Sequence, residues 1–398
     1  MTDYGNSAVR TLSRGKQMIT FFESTGTLSA LKEAWNNHAK NPAIKSLMIL
    51  ACDANNWEAP QIDPWLKALP IPVFGGIFPQ VIYDRKNFAT GTLLIGLEVV
   101  PEIICVKGLS DPESVFDEQL IPFADRWEDP ETPGGETFVV FVDGLSKRIA
   151  ALIQSMFFCF GLHRNFIGGG AGSLSFQQKP CLITPEGLLE NAAVVAKLPI
   201  ACGTGVAHGW QAISNGMKVT EAEGNVLKTL DWQPAFQVYR ELVELHSGQT
   251  FTDNNFFEIA RSYPFGITRL DTEVIVRDPL MKNASDGLVC VGEVPAGCFV
   301  RLLNGNPETL IAAASYAREL AEKTGPCRSG SANAFIIDCV SRVLFLGGRI
   351  SEELEAAAGQ HRLFGALTLG EIANNGRDYL EFFNKTTVVG IFSETLMI

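Results

Sequence analysis

Thr137–Val142 (TFVVFV), a helical stretch, Phe166–Gly172 (FIGGGAG) and then Asn191–Ala196 (NAAVVA) form the passage that decides the fold. The first run has β-branched and aromatic residues with no polar break, the pattern of a strand buried on both faces. The same order occurs twice more. Leu47–Ala51 (LMILA) leads to Val73–Gly76 (VFGG) and Gly91–Gly96 (GTLLIG), and Ala334–Cys339 (AFIIDC) leads to Leu363–Glu371 (LFGALTLGE) and Thr386–Gly390 (TTVVG). A recurring strand, helix, strand, glycine elbow and strand implies a mixed α/β (α+β) fold of duplicated strand-helix-strand units. The glycines mark places where backbone comes close to another strand or to a ligand.

The length of 398 residues and the 46% hydrophobic content suit more than one core. Two mixed-sheet domains around a cleft are expected, divided near residue 233, over 28–232 and 233–392. A formal charge of −12 and the lack of Lys/Arg clusters argue against binding nucleic acid or an anionic membrane. Nine cysteines, scattered singly with no C-x-x-C pair, read as buried thiols of a reducing cytoplasm. The N-terminus lacks the apolar core of a signal peptide, and no apolar run reaches the ~18 residues that a membrane span needs.

Along the chain, a helix over 27–40 is expected to precede the first strand, and Asp63-Pro64 to open a short helix. Residues 111–136 read as a connection with one weak helix. Ser146 can cap a helix from Lys147 that sends Phe157, Phe158 and Phe160 into packing and stops at Gly161. Met217–Gly224 and Val226–Trp232 read as strands, and helices are expected over 235–245, 255–261 and 308–323. Tyr263–Gly266 reads as a turn, residues 273–276 and 287–291 as a hairpin-type pair, and Cys298–Leu303 as another strand.

Catalytic signatures are missing. FIGGGAG lacks the Lys-Ser/Thr of a phosphate loop, and Ser173–Phe176 after it reads as strand where a dinucleotide site needs a helix N-terminus. No G-x-S-x-G elbow, H-E-x-x-H or paired C-x-x-C occurs, so the reading is of a protein that is not an enzyme. Of five histidines, His38 and His246 fall on helices. His163, His208 and His361 fall in loops beside the elbows, where ligands are met. His208 has small flanks and Trp210 beside it. Glu371, Asn384 and Thr386 are polar groups set in apolar sequence, and such groups pair with one another, with backbone or with a bound molecule.

His208-Gly-Trp210, Pro234 before a helix, Tyr263–Gly266 (YPFG), Phe364–Glu371 (FGALTLGE) and Phe383–Thr386 (FNKT) together resemble the FIST domain family, over about residues 28–392. The resemblance implies a sensory protein of signal transduction that binds a small ligand. Gly75–Pro79 and Leu363–Asn374 are most similar to the NosP-type branch, haem proteins that sense nitric oxide and regulate a co-encoded histidine kinase. That branch implies haem iron held by an axial residue, with His208 the first choice and His163 and His361 as rivals. A FIST sensor of an amino acid or similar metabolite, using Glu371, Asn384 and Thr386, is the alternative, and a homodimer is compatible with both.

Overall fold

The computed structural model describes residues 18–38, 41–127, 135–268, 274–325, 332–374 and 379–392. The mixed α/β pattern forms three sheets of identical layout. The first unit is β1 (Ile19–Glu23), α1 (Leu28–His38), β2 (Ser46–Cys52), α2 (Ala59–Lys67), β3 (Val73–Phe78), a hairpin of β4 (Gln80–Tyr83) and β5 (Lys86–Phe88), and β6 (Thr92–Leu97). The second repeats it as β7 (Glu102–Lys107), α3 (Phe116–Ala124), β8 (Thr137–Asp143), α4 (Ile149–Phe160), β9 (Asn165–Ala171), the hairpin β10 (Leu182–Thr184) and β11 (Gly187–Leu189), and β12 (Ala192–Leu198).

The third unit opens with β13 (Cys202–Ala207) and is interrupted by an inserted sheet. The insert holds β14 (Gln211–Ala212), β15 (Met217–Glu223), β16 (Val226–Leu230), β17 (Gln233–Pro234), α5 (Ala235–Ser247), α6 (Phe256–Ala260), β18 (Phe265–Ile267), β19 (Ile275–Arg277), β20 (Pro279–Lys282), β21 (Leu288–Cys290) and β22 (Phe299–Asn304). The unit resumes as α7 (Pro307–Thr324), β23 (Asn333–Cys339), α8 (Val340–Leu346), α9 (Ile350–Ala358), β24 (Arg362–Thr368), the hairpin β25 (Glu371–Ala373) and β26 (Glu381–Phe383), and β27 (Thr387–Phe392).

In each unit the two central strands are parallel, joined through one helix or, in the third unit, through α8 and α9, and the last strand returns antiparallel to the first of the pair. The hairpins then exchange in a cycle. β4–β5 extends the third sheet beside β24, β10–β11 extends the first beside β3, and β25–β26 extends the second beside β9. Strand pairing therefore crosses residue 233 in the exchanged hairpins β4–β5 and β25–β26, in β13 with β27, and within the insert, where β14 and β15 pair with β22 and β16 with β21. No unit can leave the others without losing backbone hydrogen bonds.

One glycine of each elbow serves this geometry. Gly75, Gly168 and Gly365 sit opposite Ile49, Val140 and Ile336 in register. A Cβ at each would lie 1.8, 1.7 and 1.8 Å from the partner's carbonyl oxygen. The elbows are thus close strand crossings, as the lack of a phosphate-loop context suggested.

Several local expectations are corrected. Strand β1 precedes α1. Helix α2 starts at Ala59 with Pro60 in its first turn, so Asp63 and Pro64 lie inside it, and the Asp63 carboxylate accepts from the Leu188 amide at 2.8 Å. Ser146 does not cap α4: the helix begins at Ile149 without a side-chain cap, and the Lys147 amide bonds Ser110 Oγ instead. Phe158 faces solvent, because successive helical positions turn by ~100° and Phe160 takes the inward one. Ser173–Phe176 is loop, and Phe265 already belongs to β18. β19 pairs with β18 and β21 with β20, since the five-residue link 283–287 closes more readily than the long one. Glu273, assigned to that strand, and Cys327 lie outside the described residues.

The other eight cysteines are free. Burial holds the Cys52 thiol at about 12 and Cys105 at about 11, so neither is a thiolate at neutral pH.

Candidate functional site

The corner where β13, the insert, α8 and β27 meet collects most of the buried charged side chains among the described residues. Asp338 ends the apolar run of β23, and Arg342 follows four residues later in the first turn of α8. The two lie on one side with Nε 3.3 Å from Oδ1, and both are fully buried. Arg342 spreads its fork over four elements. Nε donates to Glu353 Oε1 of α9 at 2.8 Å, Nη1 to the carbonyls of His208 (2.6 Å) and Lys385 (3.1 Å), and Nη2 to that of Leu310 (3.0 Å). Only a planar guanidinium can meet so many acceptors at once.

Lys385 adopts φ 55°, turning its side chain inward across the insert. Its Nζ lies 3.1 Å from Asp278 Oδ2, donates to the Arg261 carbonyl at 2.8 Å, and sits 5.0 Å above the Trp210 ring. Trp210 Nε1 donates to the Lys385 carbonyl at 3.1 Å. Glu371, also fully buried, accepts from Thr368 Oγ1 and from the Thr386 amide, both at 3.2 Å, while Thr386 Oγ1 donates to the Asn384 carbonyl. Asn384 reaches the Val291 carbonyl of the insert at 3.4 Å.

Four buried carboxylates share two cations in this network. Burial, then the charge of Glu353, raises Asp338 well above the usual carboxylate range; burial, then the charge of Asp338, does the same for Glu371. The network is closed, and it is better described as a structural junction than as a place where a substrate reaches reacting atoms.

The structure therefore brings together His208, Trp210, Glu371, Asn384 and Thr386, and leaves His361 and His163 outside. His361 is buried between β24 and α7, with Nδ1 accepting from the Ala332 amide at 3.1 Å and Nε2 3.0 Å from Glu322 Oε1. His163 is exposed on the turn between α4 and β9. Asp338, Arg342, Glu353 and Asp278 escaped the sequence reading, and Lys385 entered it only as part of the Asn384–Thr386 stretch. The signal that singled out Glu371, a charged residue within apolar sequence, applies equally to Asp338, and the spacing to Arg342 is that of a helical ion pair.

A haem needs a histidine with a free Nε2 lone pair, normally one whose Nδ1–H is donated elsewhere. His208 is in the opposite tautomer: Nδ1 accepts the Trp210 amide at 2.8 Å, which leaves the proton on Nε2. Burial, reinforced by Arg342, lowers its pKa to about 4 and keeps the ring neutral. His361 accepts at Nδ1 in the same way. Neither ring offers its Nε2 lone pair to iron, and His163 has no enclosing wall, so these donors do not fit a buried haem.

Beside the junction lies an open cleft of about 490 Å³ between α4, the insert and the outer face of β26. Ile153, Phe157, Ile275 and Phe382 form its apolar walls, with Arg277, Glu293 and Glu381 as charged groups and Gln154 and Tyr379 as polar ones. Phe157 and Tyr379 meet with ring centroids 5.0 Å apart at one side. The Arg277 guanidinium is braced by backbone, Nε to the Glu293 carbonyl at 2.9 Å and Nη1 to those of Val276 (3.0 Å) and Phe382 (3.3 Å). Its neighbour Asp278 faces the other way, into the buried junction.

Among the described residues no helix is long and apolar enough to cross a membrane, and no group of three metal-ligating side chains occurs. No curated protein matches the chain. Two family descriptions do: the FIST N domain over residues 46–233 and the FIST C domain over 235–374. The chain belongs to the FIST family, whose domains are sensory modules of signal transduction that bind small ligands.

Proposed function

We propose that this FIST protein senses a small zwitterionic metabolite with an apolar body, of the amino-acid type, in the cleft between α4, the insert and β26. The observation that carries the reading is a cleft of about 490 Å³ with apolar walls and charged groups of both signs, Arg277 against Glu293 and Glu381. That size and balance suit a small organic ligand. The guanidinium matches a carboxylate, Glu293 matches an ammonium, and Phe157, Ile275 and Phe382 match the body.

Occupancy has a path inward. Arg277 and Asp278 are consecutive, one on the cleft and one 3.1 Å from Lys385, so a ligand that shifts the β19–β20 corner also shifts the junction that ties the insert to β27. A ligand stabilises whichever arrangement it binds more tightly. The output passes to a separate signalling partner, for which a histidine kinase is the type that the family resemblance suggests.

Thermal unfolding in the presence of L-amino acids, their decarboxylated amines and their des-amino acids tests this. An apolar zwitterion at ~100 times its Kd adds ~2.7 kcal/mol and raises Tm by several degrees, and Phe157→Ala weakens the effect. No shift with any zwitterion refutes it. Nitric-oxide sensing through haem is the rival: a Soret band after haem reconstitution that moves with nitric oxide would replace the metabolite reading.

A further inference from the structure

Helix α4 borders two cavities. Ile153 and Phe157 wall the cleft, whereas Ala151, Ser155 and Phe158 face α3 across a separate groove of about 400 Å³, and Gln154 borders both. The groove is floored by Phe116, with the Arg148 guanidinium 4.9 Å above its ring. Arg148 Nη1 is bonded to the carbonyls of Asp111 and Ser114, which fixes it as part of the wall. At the lip two apolar side chains stand in solvent, Val115 at 52% and Phe158 at 76% exposure. Polar Ser155 and Gln154 flank Phe158, so its exposure is not the edge of a core.

Charge around the lip is lopsided. Asp111, Glu113, Asp117 and Glu118 come from α3 and its lead-in, against Lys147 and the wall-bound Arg148. The negative field reaches α4, where the Cys159 thiol is raised by burial and then by Asp117 and Asp125. A slot between two helices, whose apolar part is Val115, Phe116, Ala151 and Phe158 and whose lip is acidic, fits an amphipathic helix with a basic polar face.

We propose that the α3–α4 groove docks a basic amphipathic helix of a partner protein, with one apolar side chain of that helix seated between Val115 and Phe158. Docking stands on the groove alone. Coupling to the cleft through α4 rests on the metabolite reading, so the test is made without metabolite.

The probe is a fluorescein-labelled 18-residue leucine/lysine amphipathic peptide, followed by anisotropy with the full chain, and a matched leucine/glutamate peptide is the charge control. Expected is binding of the lysine peptide only, weakened at least tenfold by Phe158→Ser and severalfold by Asp117→Asn. Trp232→Ser, which removes another exposed aromatic at 78% exposure on the insert, leaves binding unchanged. Equal binding of both peptides, or lysine-peptide binding indifferent to Phe158→Ser, overturns the proposal. So does a dimer of the protein alone that Phe158→Ser dissociates, which would make a second copy the occupant. Sedimentation with anionic vesicles lost in Phe158→Ser would assign the groove to a lipid surface, and also overturns it.

Discussion

Replacing His208 by asparagine tests the buried junction at its most sensitive point. Asparagine Oδ1 can accept the Trp210 amide two residues on, as Nδ1 does at 2.8 Å, but it does not titrate. The imidazole has an ordinary pKa of 6.5 lowered to about 4, first by burial and then by Arg342. The unfolded chain thus takes up a proton as pH falls through 6.5 while the folded chain refuses it until about 4. The stability that the neutral ring provides is present above pH 6.5, falls away as pH drops from there to about 4, and is constant below. At about 1.4 kcal/mol per pH unit the loss amounts to roughly 3 kcal/mol, and the asparagine variant does not suffer it. Urea unfolding of both proteins at pH 7.5, 6, 5 and 4 measures the difference, whose shared contributions from other groups cancel. The wild type should lose roughly 3 kcal/mol relative to His208→Asn between the extremes, with most of the change below pH 6.5. A difference that stays constant within ~0.5 kcal/mol, or a His208 ring that titrates near its ordinary value by NMR, would refute the closed, cation-flanked site.

Glu371→Gln has the opposite dependence: a carboxyl held above its ordinary pKa by burial and by the charge of Asp338 contributes most below pH ~4.5 and loses stability as pH rises, so the variant should gain on the wild type from pH 5 to pH 9 in urea titrations, and a flat difference would contradict the upward shift of the buried Glu371 carboxyl. Arg342→Met leaves Asp338 and Glu353 buried without their cation and should cost ~3–5 kcal/mol, with Arg342→Lys recovering little because one ammonium cannot span the guanidinium's partners; full rescue by lysine would show that the fork is dispensable. Gly168→Ala puts a methyl 1.7 Å from the Val140 carbonyl and should abolish soluble folded protein or cost more than ~4 kcal/mol, whereas Gly348→Ala, with nothing within 4 Å, should change stability by less than ~1 kcal/mol; similar melting temperatures for the two would remove the close-crossing account.

Much of the fold was legible because buried parallel strands write themselves as unbroken apolar runs. TFVVFV, LMILA and AFIIDC all proved to be the first of the two central parallel strands of a unit, and the runs at 91–96, 191–196 and 386–390 proved to be their antiparallel returns. Local errors came where two residues compete for one role. Pro60 and Pro64 can each open a helix, and the earlier one takes the first turn. Ser146 has the chemistry of a cap, yet Ser110, distant in sequence, reaches the amide beside it. At the candidate site, His208, Trp210, Glu371, Asn384 and Thr386 stood out by type and setting and converge on one junction. His361 stood out equally and is committed to Glu322 and Ala332, which no local signal discloses. The cleft was invisible because Phe157, Ile275, Arg277 and Phe382 come from three separated segments.

By itself the sequence determined the element types, the threefold recurrence of the unit and the glycines that the unit requires, because hydrophobic period and backbone sterics are local. Membership of the FIST family follows from the same ordered motifs. Only the tertiary structure decided that the hairpins exchange in a cycle, that His208 is locked in the tautomer unsuited to iron, and that an open cleft backs onto a buried charge junction. Those features depend on which segments meet across hundreds of residues, and on the burial and neighbouring charge that the meeting imposes.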